Sequence, residues 1–381
     1  MFEFVNNRQV LFGEGTISQL PQILGWYGYK RVLFVSYNSG AKESLEIVES
    51  LKQNGIEAVL YSELKGEPDL HVINNGRDLY VKEGCEATIA LGGGSIIDAA
   101  KAINMLAANG GNVEDYQMDG RPVTKEPALF VAVPTTSGTG AEATKTSVVT
   151  NNYNGLKKSL YHTTMIADIV ILDPALTLSL PASLTASTGM DALSHAIESY
   201  VSLNANPFSE MYGLKAIELI NENLLQAVQH PQDLTARGNM MLGSYLGGCA
   251  ITAGIGIAHI MAQPVGAMYK IPHGDACSIF LPASMEKNLP FATEKYAKIA
   301  EIMGVADTAA SSQQNALAAI ERVKELRQSI GAPTALTPYW GNTPPVVDDI
   351  LEVIQKTTGH IACNPRPLTP ELMREMLEAC R

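Results

Sequence analysis

Short β-branched runs alternate with amphipathic stretches through the first half of the chain and then stop, and this change of texture limits the possible folds more than any other feature. Arg31–Ser36, Ala58–Tyr61, Ala87–Leu91 and Ala128–Val133 read as buried strands. Between them, Lys42–Asn54, Ile73–Glu83 and Ile96–Ala108 carry helical periodicity. Thr146–Thr150 and Asp168–Leu172 add two further strands. Strand-helix-strand alternation is the sequence form of a parallel sheet covered by crossover helices. Beyond Leu180–Pro181 helical stretches take over: Gly189–Val201, Pro207–Gln229, Leu234–Ala253, Pro290–Ile302, Ser311–Ile330, Val346–Gln355 and Pro370–Cys380. The pattern predicts an α/β, Rossmann-like parallel-sheet domain over residues 1–179 and an all-α domain over 180–381. The cleft between them is the default ligand site.

Composition narrows the function. The 381 residues carry 27 Lys and Arg against 39 Asp and Glu, a net charge of -12. Nucleic acids and anionic lipids are bound by clustered cations, so neither is an expected partner. No apolar run is long enough to span a bilayer, and Glu3 and Arg8 stand where a signal peptide would be apolar, so a cytoplasmic location is expected. The five cysteines are an odd number with no C-x-x-C pair, which favours buried thiols over a disulfide framework or a zinc ribbon.

Two glycine-rich loops follow buried strands. In the first, Gly92, Gly93, Gly94 and Ser95 lead into a helix containing Asp98; in the second, Pro134 to Gly140 hold Thr135, Thr136 and Thr139. Glycines allow close backbone approach, and a helix N-terminus offers free N–H groups to a pyrophosphate. The first loop lacks the G-x-G-x-x-G spacing, so alone it fits a tight βα turn equally well. Two such loops on one sheet edge favour a nucleotide. In the helical half, Asp191 and His195 are four apart, on one helix face. His259 lies in an uncharged segment where an unpaired imidazole would be costly to bury, and His273 sits between Pro272 and Gly274 in a rigid loop. A structural Asp–His pair and a backbone-bonded histidine are the plainer readings of these residues singly. Together, Asp191, His195, His259 and His273 make a one-carboxylate, three-imidazole set suited to Fe(II), Zn(II) or a similar divalent ion.

The same segments resemble the iron-containing (group III) metal-dependent alcohol dehydrogenases, whose fold is shared with dehydroquinate synthase. The likeness rests on Val10–Gly15, Gly92–Ser95 with Asp98, Pro134–Gly140, Leu172–Pro174, Gly189–Glu198, Ala258–His259, Pro272–Gly274 and Asn364–Arg366, in that order along essentially the whole chain. It implies a metal-dependent oxidoreductase that interconverts a short primary alcohol and its aldehyde with NAD(P). By that resemblance Asp191, His195, His259 and His273 hold Fe(II), Zn(II) or Mn(II) in the cleft. Gly92, Gly93, Gly94, Ser95, Asp98, Thr135, Thr136, Thr139 and Lys157 line the cofactor site, with Asn38 and Ser39 near the ribose 2′ position. It further implies a homodimer, or a higher homo-oligomer, whose interface includes Phe2–Phe12.

Two positions depart from the family pattern. Gln263 stands where many relatives have a second histidine, four residues after His259, which leaves His360 as the candidate proton carrier and Gln263 as a hydrogen-bonding wall of the substrate pocket. The run Val35 to Gly40 has no acid to repel a 2′-phosphate, which leaves NAD and NADP both open. A lyase of the dehydroquinate synthase type would need several cations near the metal, and the His259–His273 segment offers only Lys270. Two more functions suit the same residues: reduction of an aldehyde carrying a carboxylate, sulfonate or phosphonate, and ligand binding by a retained fold without turnover.

Overall fold

A computed structural model describes the chain except for residues 1, 118–119, 154–156, 341–342, 344–345 and 358–362, and in 354–357 the backbone alone. His360 therefore lies outside the described residues. The strands are β1 (Gln9–Phe12), β2 (Arg31–Ser36), β3 (Glu57–Tyr61), β4 (Ala87–Gly92), β5 (Phe130–Pro134), β6 (Thr146–Thr150), β7 (Lys157–Tyr161) and β8 (Ile169–Leu172). The helices of the first half are α1 (Leu20–Trp26), α2 (Lys42–Gln53), α3 (Leu70–Glu83), α4 (Gly94–Asn109) and α5 (Val113–Gln117). Those of the second are α6 (Ala182–Val201), α7 (Pro207–Gln229), α8 (Leu234–Ala250), α9 (Ile257–Tyr269), α10 (His273–Ile302), α11 (Ser312–Ser329), α12 (Thr337–Trp340), α13 (Val347–Thr357) and α14 (Pro370–Ala379).

The chain divides into two compact units. One comprises Val5–Thr136 and Ala141–Leu178; the other comprises Met1–Phe4, Ser137–Gly140 and Ser179–Arg381. In the first, six strands form an all-parallel sheet in the order β1-β8-β5-β4-β2-β3. The fully buried runs ATIAL in β4 and FVAV in β5 suit a sheet covered on both faces. The chain leaves β2 outward to β3 and leaves β4 in the opposite direction to β5, so the order reverses between β2 and β4. Such a switch point opens a crevice beyond the carboxyl ends of those strands. The Thr146–Thr150 strand stands apart from this sheet, in an antiparallel ribbon with β7.

The second unit packs around α6, of which every residue from Gly189 to Val201 is buried. Glycine lets a neighbouring helix approach: a Cβ on Gly213 of α7 would stand 3.1 Å from the Ala196 carbonyl oxygen of α6. One helix is absent from the sequence pattern and another is longer than it predicts. The stretch around His259 is α9, although Gly254, Gly256 and Pro264 punctuate it. His273, expected in a loop, is the first residue of α10, which carries Pro282 and Pro290 inside and absorbs the break at Ala292 with φ −141° and ψ 29°. Proline, expected as a boundary, is here accommodated within the helix by a local kink.

Candidate metal centre

Three helices bring the candidate ligands together. On α6, Asp191, His195 and Glu198 are spaced i, i+4 and i+7, so all three project from one face. His259 enters from the first turn of α9 and His273 from the first residue of α10. The position of α10 depends on Gly274, because a Cβ there would lie 2.1 Å from the Ser187 carbonyl oxygen of α6. Pro272 precedes the helix at its N-cap and Ile271 is anchored by its N–H to the Gly266 carbonyl. The Pro-His-Gly sequence thus fixes how closely His273 approaches α6.

One carboxylate oxygen is the focus. Asp191 Oδ1 lies 3.4 Å from His259 Nε2, 3.5 Å from His273 Nε2 and 3.9 Å from His195 Nδ1. The His195 and His259 rings stack with centroids 4.2 Å apart. Asp191 Oδ1, His259 Nε2 and His195 Nδ1 are buried, and none has a hydrogen-bond partner. Orphaned buried polar atoms carry a desolvation cost of roughly 1–3 kcal/mol each, which a shared cation removes. The donor set therefore fits a divalent ion. Burial opposes ionisation of Asp191, but His195, His273 and His259 outweigh it and hold the carboxyl well below the usual range. Burial pushes His195 down to about 3 despite Asp191, so its imidazole is neutral and its lone pair available.

Two residues at this centre were not among the sequence candidates. Glu198 Oε2 pairs with His259 Nδ1 at 2.6 Å, and Oε1 accepts the Ala258 N–H at 2.7 Å. A carboxylate on one ring nitrogen fixes the tautomer and aims the other nitrogen, here Nε2, at the ion position. Gly256 makes room for this contact, because a Cβ there would stand 2.7 Å from Glu198 Oε1. The available signal was the seven-residue step from Asp191, two helical turns along the same face. Cys277, four residues after His273 on α10, joins Asp191, His259 and His273 in a cluster whose candidate ligand atoms all lie within 4.8 Å of one another. His195 is outside that cluster and reaches it through Asp191. Gln263, one turn after His259, is half-buried.

Eight of the cofactor candidates, Asn38, Ser39, Gly92, Gly93, Gly94, Ser95, Thr135 and Thr136, lie at or just beyond the carboxyl ends of β2, β4 and β5. Gly92 of β4 pairs with Pro134 of β5, and the Thr135 N–H bonds to the Gly92 carbonyl. A Cβ on Gly93 would stand 3.2 Å from Thr136 Oγ1, so glycine lets this loop close down. The α4 N-terminus begins at Gly94 and no side chain caps it, which leaves a helix terminus suited to an anion. On the β2 side, Asn38 Oδ1 accepts the Gly40 N–H and Ser39 Oγ accepts from Ser62. Asp98 has structural partners: Oδ2 accepts the Val148 N–H and Oδ1 faces the buried Lys101 ammonium at 3.6 Å. Lys157 opens β7 and is paired with Glu67 at 2.5 Å. Thr139 belongs to the loop segment grouped with the helical unit, where Gly140 packs against Gly248 of α8.

Comparison with known proteins agrees with this architecture. Residues 7–174 match the model of the iron-containing alcohol dehydrogenases, and residues 185–380 match that of the Fe-containing alcohol dehydrogenase C-terminal region. The NAD-dependent methanol dehydrogenase of Bacillus methanolicus is 32% identical over 376 residues, covering 97% of each chain. The NADPH-dependent butanol dehydrogenase of Clostridium saccharobutylicum is 33% identical, over 99% of this chain and 97% of that one. Among solved structures, a 1,3-propanediol oxidoreductase superposes with a TM-score of 0.95 at 32% identity and covers all of both chains. The chain belongs to the iron-containing alcohol dehydrogenase family. It is an oxidoreductase of the alcohol–aldehyde class.

Proposed function

We propose that this chain is a cytoplasmic, homo-oligomeric NAD(P)-dependent enzyme that interconverts a short primary alcohol and its aldehyde at a divalent metal held by Asp191, His195, His259 and His273. The balance is alcohol plus NAD(P)+ giving aldehyde, NAD(P)H and a proton. Supporting the reading most directly is the convergence of His259 Nε2 and His273 Nε2 on Asp191 Oδ1, two of these three atoms buried and without a hydrogen-bond partner.

A divalent ion supplies Lewis acidity toward the substrate oxygen, and the nicotinamide carries the hydride. The remaining work belongs to the protein. Glu198 holds His259 in the tautomer that leaves Nε2 free to ligate. Gly92, Gly93, Gly94, Ser95, Thr135 and Thr136 cradle the cofactor phosphates, with the α4 dipole directed at them. Asn38 and Ser39 meet the adenosine ribose with neutral groups, which suits either NAD or NADP. Gln263 hydrogen-bonds the polar end of the substrate but cannot carry a proton, since an amide does not titrate in this range. Residues 1–179 serve the cofactor and 180–381 the metal.

The test is aldehyde-dependent oxidation of NADH and NADPH by anaerobically purified protein, reconstituted in turn with Fe(II), Zn(II) and Mn(II). A metal-dependent rate over short aldehydes is expected, with either nucleotide accepted. Absence of turnover with every neutral and anionic aldehyde tried, despite tight metal and nucleotide binding, would favour a lyase of the dehydroquinate synthase type instead.

A further inference from the structure

We propose that Cys277 adds a sulfur donor to the metal centre, so that this chain's site is a mixed oxygen, nitrogen and sulfur set with enhanced affinity for thiophilic ions such as Zn(II) and Co(II). The inference rests on the metal site proposed for Asp191, His195, His259 and His273, and goes beyond it in naming a ligand atom and an ion preference. Cys277 is fully buried, one helical turn along α10 from His273, and its Sγ lies 3.7 Å from His273 Nε2. A spacing of four residues on a helix puts both side chains over the same face. Asp191, His259, His273 and Cys277 form a cluster within 4.8 Å, and no other such cluster is found among the described residues.

The second observation is independent of the cysteine. Asp191 Oδ1 and His259 Nε2, on residues only 3% exposed, point into the same space with no hydrogen-bond partner. The sulfur therefore borders a position that two other elements already leave open to a cation. Thiolate is a soft donor that favours zinc over hard ions such as Mg(II) and Mn(II), which prefer oxygen ligands. On binding, the thiol proton is released to solvent and the sulfur lone pair goes to the ion, with no change of oxidation state.

Metal-stripped protein titrated with Co(II) tests this by absorption. Wild type is expected to develop a near-ultraviolet thiolate-to-cobalt charge-transfer band that saturates at one ion per chain. Cys277→Ser is expected to bind Co(II), with visible d–d absorption, and to lose that band. Binding without the band in wild type, or a band retained in Cys277→Ser, overturns the sulfur ligand while leaving the metal centre intact. Failure of the wild type to bind Co(II) at all overturns the metal-centre reading as well. If the variant does not fold, X-ray absorption of Zn(II)-loaded wild type decides: a sulfur shell at about 2.3 Å is expected. A shell of nitrogen and oxygen alone overturns the inference.

Discussion

His259→Ala is expected to lose the bound ion and to cut kcat/KM for alcohol oxidation by about a thousandfold, with the fold retained. Lewis-acid stabilisation of developing charge is worth several kcal/mol, and about 4 kcal/mol corresponds to that factor in rate. The substitution removes a nitrogen that faces both Asp191 Oδ1 and the stacked His195 ring. It also strips Glu198 Oε2 of its partner, while Oε1 keeps the Ala258 N–H. One unsatisfied buried acceptor costs roughly 1–3 kcal/mol. At about 2–4 °C per kcal/mol for a unit of this size, Tm should fall by up to about 10 °C, well short of unfolding at room temperature. Circular dichroism, metal content and steady-state kinetics on one preparation check all three statements. Full metal content with a wild-type rate would remove His259 from the centre.

Gly274→Ala is expected to be the most damaging single-methyl change near the site. The added Cβ would lie 2.1 Å from the Ser187 carbonyl oxygen and 2.6 Å from the carbonyl carbon. Both are backbone atoms of a buried helix, so no side chain can swing aside. Overpacking usually costs about 1–3 kcal/mol, and a rigid backbone obstacle belongs at the upper end or beyond. Relief requires α10 to move away from α6, which carries His273 away from Asp191. A Tm drop of roughly 10 °C together with weakened metal binding is therefore expected. Loss of stability with unchanged metal affinity would mean that the two helices separate without disturbing the ligands.

The sheet and most helices are legible in the sequence because their local patterns agree with the tertiary fold. VLFVS in β2 and ATIAL in β4 are continuous apolar runs, as parallel strands buried on both faces require. The short edge strand β1 has no such pattern, since its four residues are mostly exposed and it is held by pairing with the distant β8. Lys157–Tyr161 is hidden in the same way: two lysines open a strand that pairs with β6 in a two-stranded ribbon. In α9 and α10, prolines and glycines look like stops, whereas Gly256 and Gly274 are there to let helices meet.

At the centre, legibility follows residue type. Asp191 and His195 share a helical face, and an uncharged context makes His259 conspicuous. Glu198 and Cys277 are harder to see because their importance arises from what faces them across the fold. Glu198 reads locally as a helix-face acid until His259 is brought to 2.6 Å. Cys277 reads as an ordinary buried thiol until α9 and α6 place His259 and Asp191 beside it.

The dependence of turnover on a single ion bound around Asp191 Oδ1 is most directly tested by chelation and reloading. Protein dialysed against a strong chelator should lose aldehyde reduction to background and regain it as Fe(II) is returned, with the recovery complete at one ion per chain. Undiminished turnover in chain stripped of all metal would contradict it.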